Sequence, residues 1–183
     1  MVDFDKIIEK YYTKGSDAYN LLTIHSRQVA ELALQLADES AVAVDRDFVW
    51  EAAMLHDVGI CRTNAPGIYC FGTEPYLRHG LIGKAMLLEE GLPRHALVCE
   101  RHIGAGLTAD EIREQGLPLP AVDMLPLTVE EKLVCYADNF FSKSHIAPAR
   151  IYEQVHSQMA RYGEGTLRRL EAMHEMFSGK RLS

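Results

Sequence analysis

The 183-residue chain is expected to be all-α, on three observations. Apolar residues recur at helical spacing along most of its length, no segment alternates apolar and polar residues over a strand's length, and helix start and stop signals punctuate the pattern. The length suits one domain over residues 1–183: a helical bundle with a motif-bearing core at 20–145 and C-terminal helices at 148–178.

From Asn20 to Ser40, the residues Leu21, Ile24, His25, Val29, Leu32 and Leu36 share one helical stripe, which turns His25 inward. Asp47 is a candidate N-cap for the next helix, where Val49, Ala52, Ala53 and His56 follow at i, i+3, i+4 and i+7. Gly59 stands where a helix C-terminal glycine is expected. Residues 60–76 lack periodicity and contain Pro66, Gly67, Gly72 and Pro75. A connection that long is usually a functional cover or a disordered stretch. A helix over 77–90 carries His79, Ile82 and Met86 on one side and ends at Gly91. Pro93 opens another, with Val98 and His102 four residues apart. The runs Thr108–Glu111 and Thr128–Glu131 both match the capping box, and the second opens a helix carrying Val134, Asp138 and Phe141. Between the boxes, Gly116 to Leu127 reads as an ordered turn region, and two amphipathic helices separated by Gly163-Glu164-Gly165 follow Pro148.

Hydrophobic content of 48% and charged content of 25% are ordinary for a globular chain. A net charge of −7 argues against general nucleic-acid or anionic-membrane binding, which needs a basic face. No apolar stretch of membrane-spanning length occurs, and the acidic N-terminus lacks the order of a signal peptide. Cys61, Cys70, Cys99 and Cys135 show no CxxC or zinc-finger spacing and read as reduced thiols of a cytoplasmic protein.

The chemistry-bearing feature is His56-Asp57, which closes the apolar run from Ala52. With His25, His79, His102 and Asp138 it makes six nitrogen and oxygen donors on separate helices. Such donors suit two divalent ions of iron, manganese, zinc, cobalt or nickel. His25, His56, Asp57 and Asp138 would hold one, and Asp57, His79 and His102 the other, with Asp57 shared and catalytically central. Taken singly, each histidine on an apolar face is more simply a core residue bonded to a carbonyl. Their coincidence with two carboxylates, costly to bury unpartnered, favours a shared metal centre. The remaining histidines, His95, His145, His156 and His174, sit among polar neighbours and read as surface residues.

At these positions the chain resembles the HD superfamily of metal-dependent phosphohydrolases, through His25, His56-Asp57 within Leu55–Gly59, and Asp138 within Tyr136–Asn139. The segments Arg78–Gly83 and Arg101–Gly106 are similar to those of its HDIG-type, six-ligand dinuclear branch. The resemblance implies an HD-type helical bundle with the metal site at its centre. It also implies a water-dependent cleavage of a phosphoester or phosphoanhydride in a nucleotide or another small phosphorylated metabolite. The same ligands serve a di-iron oxygenase, and a non-catalytic metal-stabilised ligand-binding domain is the third alternative. Arg62, Arg78, Lys84 and Lys143 are candidate phosphate contacts. Gly80, Gly83, Gly104 and Gly106 would admit a bulky anion, and Tyr69, Phe71 and Tyr76 would stack on a base. Ile151, Val155, Leu167, Leu170 and Met173 suit either packing within the chain or a homodimer.

Overall fold

The computed structural model describes residues 2–144 and 147–178, so His145 lies outside the described residues. The helices are α1 (Phe4–Tyr11), α2 (Asp17–Ser40), α3 (Arg46–Leu55), α4 (His79–Glu89), α5 (Pro93–Arg101), α6 (Ala109–Glu114), α7 (Val129–Asp138), α8 (Tyr152–Met159) and α9 (Glu164–Phe177). Two-residue strands β1 (Asn64–Ala65) and β2 (Cys70–Phe71) pair antiparallel, Asn64 opposite Phe71. The fold is all-α, and among the described residues no helix is long and apolar enough to cross a membrane.

Among the described residues, two apolar clusters form the interior. One gathers α2, α3, α7 and α9 around Val29, Ala33, Val49, Leu133, Leu170 and Phe177. The other gathers α1, the end of α3, and α4 and α5 around Ile8, Leu55, Val58, Leu87 and Cys99. Helix α3 feeds both, Ala52 and Ala53 into the first and Met54 and Leu55 into the second. His56-Asp57 therefore leaves α3 at the seam between the clusters.

Local signals hold with instructive exceptions. Helix α2 begins at Asp17, capped by the Ser16 hydroxyl, and its inward face is Leu22, His25, Ser26, Val29, Ala30, Ala33 and Ala37. Ile24 is exposed and Leu21, Leu32 and Leu36 are only half-buried, so the predicted stripe is rotated toward small residues. Alanines let the α2 backbone approach α3 and α7 closely. Helix α1, unassigned from sequence, is capped by Asp3 and buries Ile8. Asp45, not Asp47, caps α3 by accepting from the Phe48 N–H. Thr108 completes its capping box, whereas Glu131 instead accepts from Leu127 N at 2.8 Å and pairs with Arg101 at 2.9 Å. Gly91 ends α4 with φ +73°, and Pro93 opens α5. The 60–76 connection is built from three-ten turns at Val58–Arg62 and Pro66–Ile68 and the small hairpin, with Ile68 and Cys70 anchored in the second cluster.

Gly59 does not cap a helix. It lies within a three-ten turn, and a Cβ there would meet His79 O at 2.2 Å and Gly83 N at 2.4 Å. Only a bare backbone lets this turn lie against α4. Val155, Leu170 and Met173 are buried within the chain, Leu167 packs against them, and Ile151 is exposed. His95 is a correction: it is buried, not on the surface, with Nε2 3.2 Å from Glu51 Oε2 and its ring edge-on to Phe48. Burial lowers its pKa against the pull of Glu51. His156 is half-exposed and pairs with Glu171 at 2.9 Å. His174 is half-buried under Tyr152 and receives the Tyr136 hydroxyl at 2.6 Å.

Arg169 on α9 ties down the loop that follows α5. It donates to Ala105 O and Gly106 O, both at 3.0 Å, and to both oxygens of Glu111, at 2.8 and 2.7 Å. Burial opposes the charged Glu111 carboxylate, but Arg169 and the Thr108 N–H hold its pKa below 4.5. A depressed carboxyl stabilises the fold above its unfolded value, and that contribution vanishes as pH falls through the folded value. Glu111→Gln should therefore cost about 1.5 kcal/mol at pH 7, seen as a lower melting temperature. The gap from wild type should close below the usual carboxylate range; an equal gap at pH 7 and in acid would refute the electrostatic origin.

Candidate metal centre

Helix ends build the site. The last carbonyls of an α-helix lack intrahelical partners. His56 and His102 stand just past the ends of α3 and α5, and His79 just past a three-ten turn over Tyr76–Arg78. Each turns Nδ1 back to the carbonyl three residues before it: His56 to Ala53 at 2.7 Å, His79 to Tyr76 at 2.7 Å, His102 to Cys99 at 2.9 Å. With Nδ1–H donating to a carbonyl, neutral imidazole presents its Nε2 lone pair inward, the arrangement that orients metal-ligating histidines. Asp138 ends α7, so the C-termini of α3, α5 and α7 lie at the centre, where their dipoles favour a cation against the opposing N-terminus of α4 at His79.

The six donors form two groups sharing Asp57: His25, His56, Asp57 and Asp138; and Asp57, His79 and His102. All six are buried, with His56 and Asp57 fully inaccessible. In the first group His25 Nε2 is 2.9 Å from Asp138 Oδ1 and 3.4 Å from Asp57 Oδ2, while His56 Nε2 is 3.2 Å from Asp57 Oδ2 and 3.4 Å from Asp138 Oδ1. In the second, Asp57 Oδ1 is 3.3 Å from both His79 Nε2 and His102 Nε2, which are 3.1 Å apart. Donors held at about 2.1 Å around one tetrahedral ion stand about 3.4 Å from one another.

The residues fit metal on a second count. His56 Nε2 and both oxygens of Asp57 are buried without a well-formed hydrogen bond, having only ionic neighbours at 3.2–3.4 Å. Buried carboxylate oxygens in that condition are costly. The lone pairs of His79 and His102 also face each other, which is unfavourable unless a cation lies beside both. A buried metal centre satisfies all of these atoms together.

The electrostatics point the same way. Burial disfavours the charged Asp57 carboxylate, but His56 and Lys143 hold it well below the usual carboxylate range. Burial likewise opposes Asp138, and Lys143 and His25 hold it low. The two carboxylates push His56 up to about 10 in spite of its burial, so their field favours a positive charge at this position, carried either by a proton on His56 or by a cation that its neutral Nε2 would bind. His79, buried and beside His102 and Lys143, falls to about 3 despite Asp57, so it is a neutral donor at physiological pH.

A cavity of about 420 Å³ opens over the Asp138 end of the centre. Of the candidate phosphate contacts, Lys143 lines it, reaching Asp138 at 3.0 and 3.1 Å and Asp57 Oδ2 at 3.2 Å. Arg62 and Arg78 line a different groove, where Arg78 pairs with Glu74 at 3.2 Å, and Lys84 pairs with Glu100 at 2.6 Å. Tyr76 lines the cavity and stacks on His79 with ring centroids 4.8 Å apart, whereas Tyr69 and Phe71 are exposed outside it. The four glycines also lie outside the cavity lining. Gly80 and Gly83 bring α4 onto Cys99 of α5, and Gly104 and Gly106 turn the chain with φ +62° and +79°. Sequence reasoning missed Asn139, Arg150 and Gln158, which line the same cavity. Only Asn139, next to Asp138, carried a local signal; the other two arrive through the return of the chain toward α8.

The HD domain family profile matches residues 22–142. The chain is 34% identical over 134 residues to the tRNA (cytidine(56)-2'-O)-methyltransferase of Picrophilus torridus, covering 73% of the chain and 35% of that protein. The enzyme of the same name from Thermoplasma volcanium is 34% identical over 136 residues, covering 74% and 35%. An uncharacterized protein of Methanocaldococcus jannaschii is 40% identical over 119 residues, covering 63% of each chain. The chain thus spans less than two thirds of each of these relatives. No solved structure matches it significantly.

Proposed function

The chain belongs to the HD domain family, and from that membership and its paired donor groups we propose a dinuclear, metal-dependent phosphohydrolase. Its substrate is a nucleotide or another small phosphorylated metabolite carrying a phosphoester or phosphoanhydride. The observation that carries this reading is the shared Asp57: one buried carboxylate turns Oδ2 to the first donor group and Oδ1 to the second. Two adjacent divalent ions would acidify a water and withdraw charge from a phosphoryl group in an in-line displacement.

The protein's own groups do the rest. Asp57, locked against rotation by its imidazole neighbours, sets the spacing of the two groups. The carbonyls of Ala53, Tyr76 and Cys99 fix the imidazole tautomers. Lys143, whose pKa the carboxylates raise against its burial, stays charged at the cavity floor, placed to meet a phosphoryl oxygen. Ile68 and Tyr76, on the connection after α3, form an apolar wall of the cavity. A volume of about 420 Å³ is in the range of small-ligand sites. Methyl transfer is not carried over, because the match spans 35% of each methyltransferase and the buried donors are metal ligands in kind.

The test is phosphate release from a panel of nucleotides and sugar phosphates by protein loaded with manganese or iron. Turnover that a chelator abolishes and metal restores is expected. Two bound ions with no phosphate release from any member would reject the hydrolase; oxygen uptake under the same conditions would identify the oxygenase instead.

A further inference from the structure

We propose that Arg150 receives the free oxygens of a terminal phosphate, so that this site takes phosphomonoesters in preference to phosphodiesters. The inference rests on the hydrolase reading and narrows its substrate. Arg150 lines the same cavity as Lys143 and Asp138. Its place is set from the backbone: its N–H donates to Phe140 O at 2.8 Å, and Nη1 donates to Asn139 O at 3.2 Å, next to Asp138.

Most of the guanidinium is left for a ligand. A guanidinium has five donors in a planar fork. One is assigned to Asn139 O, and no carboxylate among the described residues pairs with Arg150. Seven other arginines (Arg46, Arg78, Arg94, Arg101, Arg113, Arg168 and Arg169) pair with carboxylates. Arg27, Arg62 and Arg161 share with Arg150 the lack of a carboxylate pair among the described residues, but of these four only Arg150 lines the cavity beside Asp138. A half-buried guanidinium without an acidic partner, on the wall of the cavity that opens over the donor groups, suits an anion. Its fork matches two phosphate oxygens at once.

Charge and oxygen count select the monoester. The donor groups hold only two carboxylates, Asp57 and Asp138, so divalent ions there, with Lys143 and Arg150 added, leave a surplus of positive charge. A phosphomonoester dianion balances more of it than a diester monoanion does. A monoester also has three terminal oxygens, leaving two for the fork when one faces the metal centre. A diester has two, leaving one. In the reaction the water oxygen bonds to phosphorus, the ester P–O bond breaks, and the leaving oxygen takes a proton, so inorganic phosphate is released.

Inorganic phosphate is therefore the probe, with dimethyl phosphate as the diester mimic, each titrated calorimetrically into manganese-loaded protein at pH 8. Wild type should bind phosphate at least tenfold more tightly than dimethyl phosphate. Arg150→Gln should lose about tenfold in phosphate affinity and most of that preference, with unchanged metal content and an intact cooperative melt. Arg150→Lys, which keeps the charge but not the fork, should fall between. On p-nitrophenyl phosphate the Arg150→Gln loss should appear mainly as a raised KM. Equal binding of the two anions by wild type, or unchanged phosphate affinity in Arg150→Gln, would overturn the proposal. Hydrolysis of diesters alone would do so too while leaving the hydrolase standing. Absence of any ester hydrolysis rejects the hydrolase, and the binding titrations then still decide whether Arg150 selects the dianion.

Discussion

Asp57→Ala is expected to empty both donor groups and reduce turnover at least about a thousandfold, which corresponds to about 4 kcal/mol of transition-state stabilisation. The reason is geometric. Asp57 is the one residue common to the two sets, so its loss removes a donor from each. His102→Ala touches the second group alone and should keep metal in the first. Metal content by atomic emission separates the cases: none retained in Asp57→Ala, about half in His102→Ala. His95→Ala is the control. It leaves buried Glu51 without its imidazole partner, so it should melt at a lower temperature yet keep its full metal complement. Retention of metal by Asp57→Ala, or equal loss in Asp57→Ala and His95→Ala, would rule out the shared carboxylate.

Gly59→Ala, a single methyl group two residues from Asp57, should be among the most damaging substitutions in the chain. The added Cβ would stand 2.2 Å from His79 O and 2.4 Å from Gly83 N. Both are main-chain atoms, so no side chain can swing away. The turn must separate from α4, which carries His79 and packs Gly80 and Gly83 against α5. A cost above about 4 kcal/mol is expected, in the range reserved for a specific structural failure. At about 2–4 °C per kcal/mol for a chain of this size, the melting temperature should fall by about 10 °C or more. Metal affinity should fall with it, because His79 moves relative to Asp57. Gly67→Ala is the comparison, since a Cβ there meets nothing within 4 Å and should shift stability by less than about 0.5 kcal/mol. Matching melting curves for the two variants would show that the contact is not tight.

Much of this was legible in the chain. His25 and His56 read as inward because they share stripes with Val29 and Val49, and both are buried. Gly91, Pro93 and Thr108 announce helix ends through backbone chemistry that acts within a few residues, which is why they read correctly. Where a signal depended on a distant partner, the reading failed. The stripe on α2 was misplaced because helical spacing alone does not distinguish a leucine-rich face from an alanine face that a neighbouring helix approaches closely. His95 looked exposed because its partner, Glu51, lies 44 residues away on α3. Gly59 looked like a cap because its neighbours on α4 come from residues 79 and 83.

By itself the sequence determined the all-α class, the ends of several helices at Gly91, Pro93 and Thr108, and the order of donors along the chain. These are local properties, set by periodicity and capping. The tertiary structure alone decided that the donors fall into two groups hinged on Asp57, that Lys143 reaches the cavity while Arg62, Arg78 and Lys84 do not, and that Arg150 joins it. Those outcomes depend on how two apolar clusters close around the end of α3, and close packing between distant segments is not written at any one position.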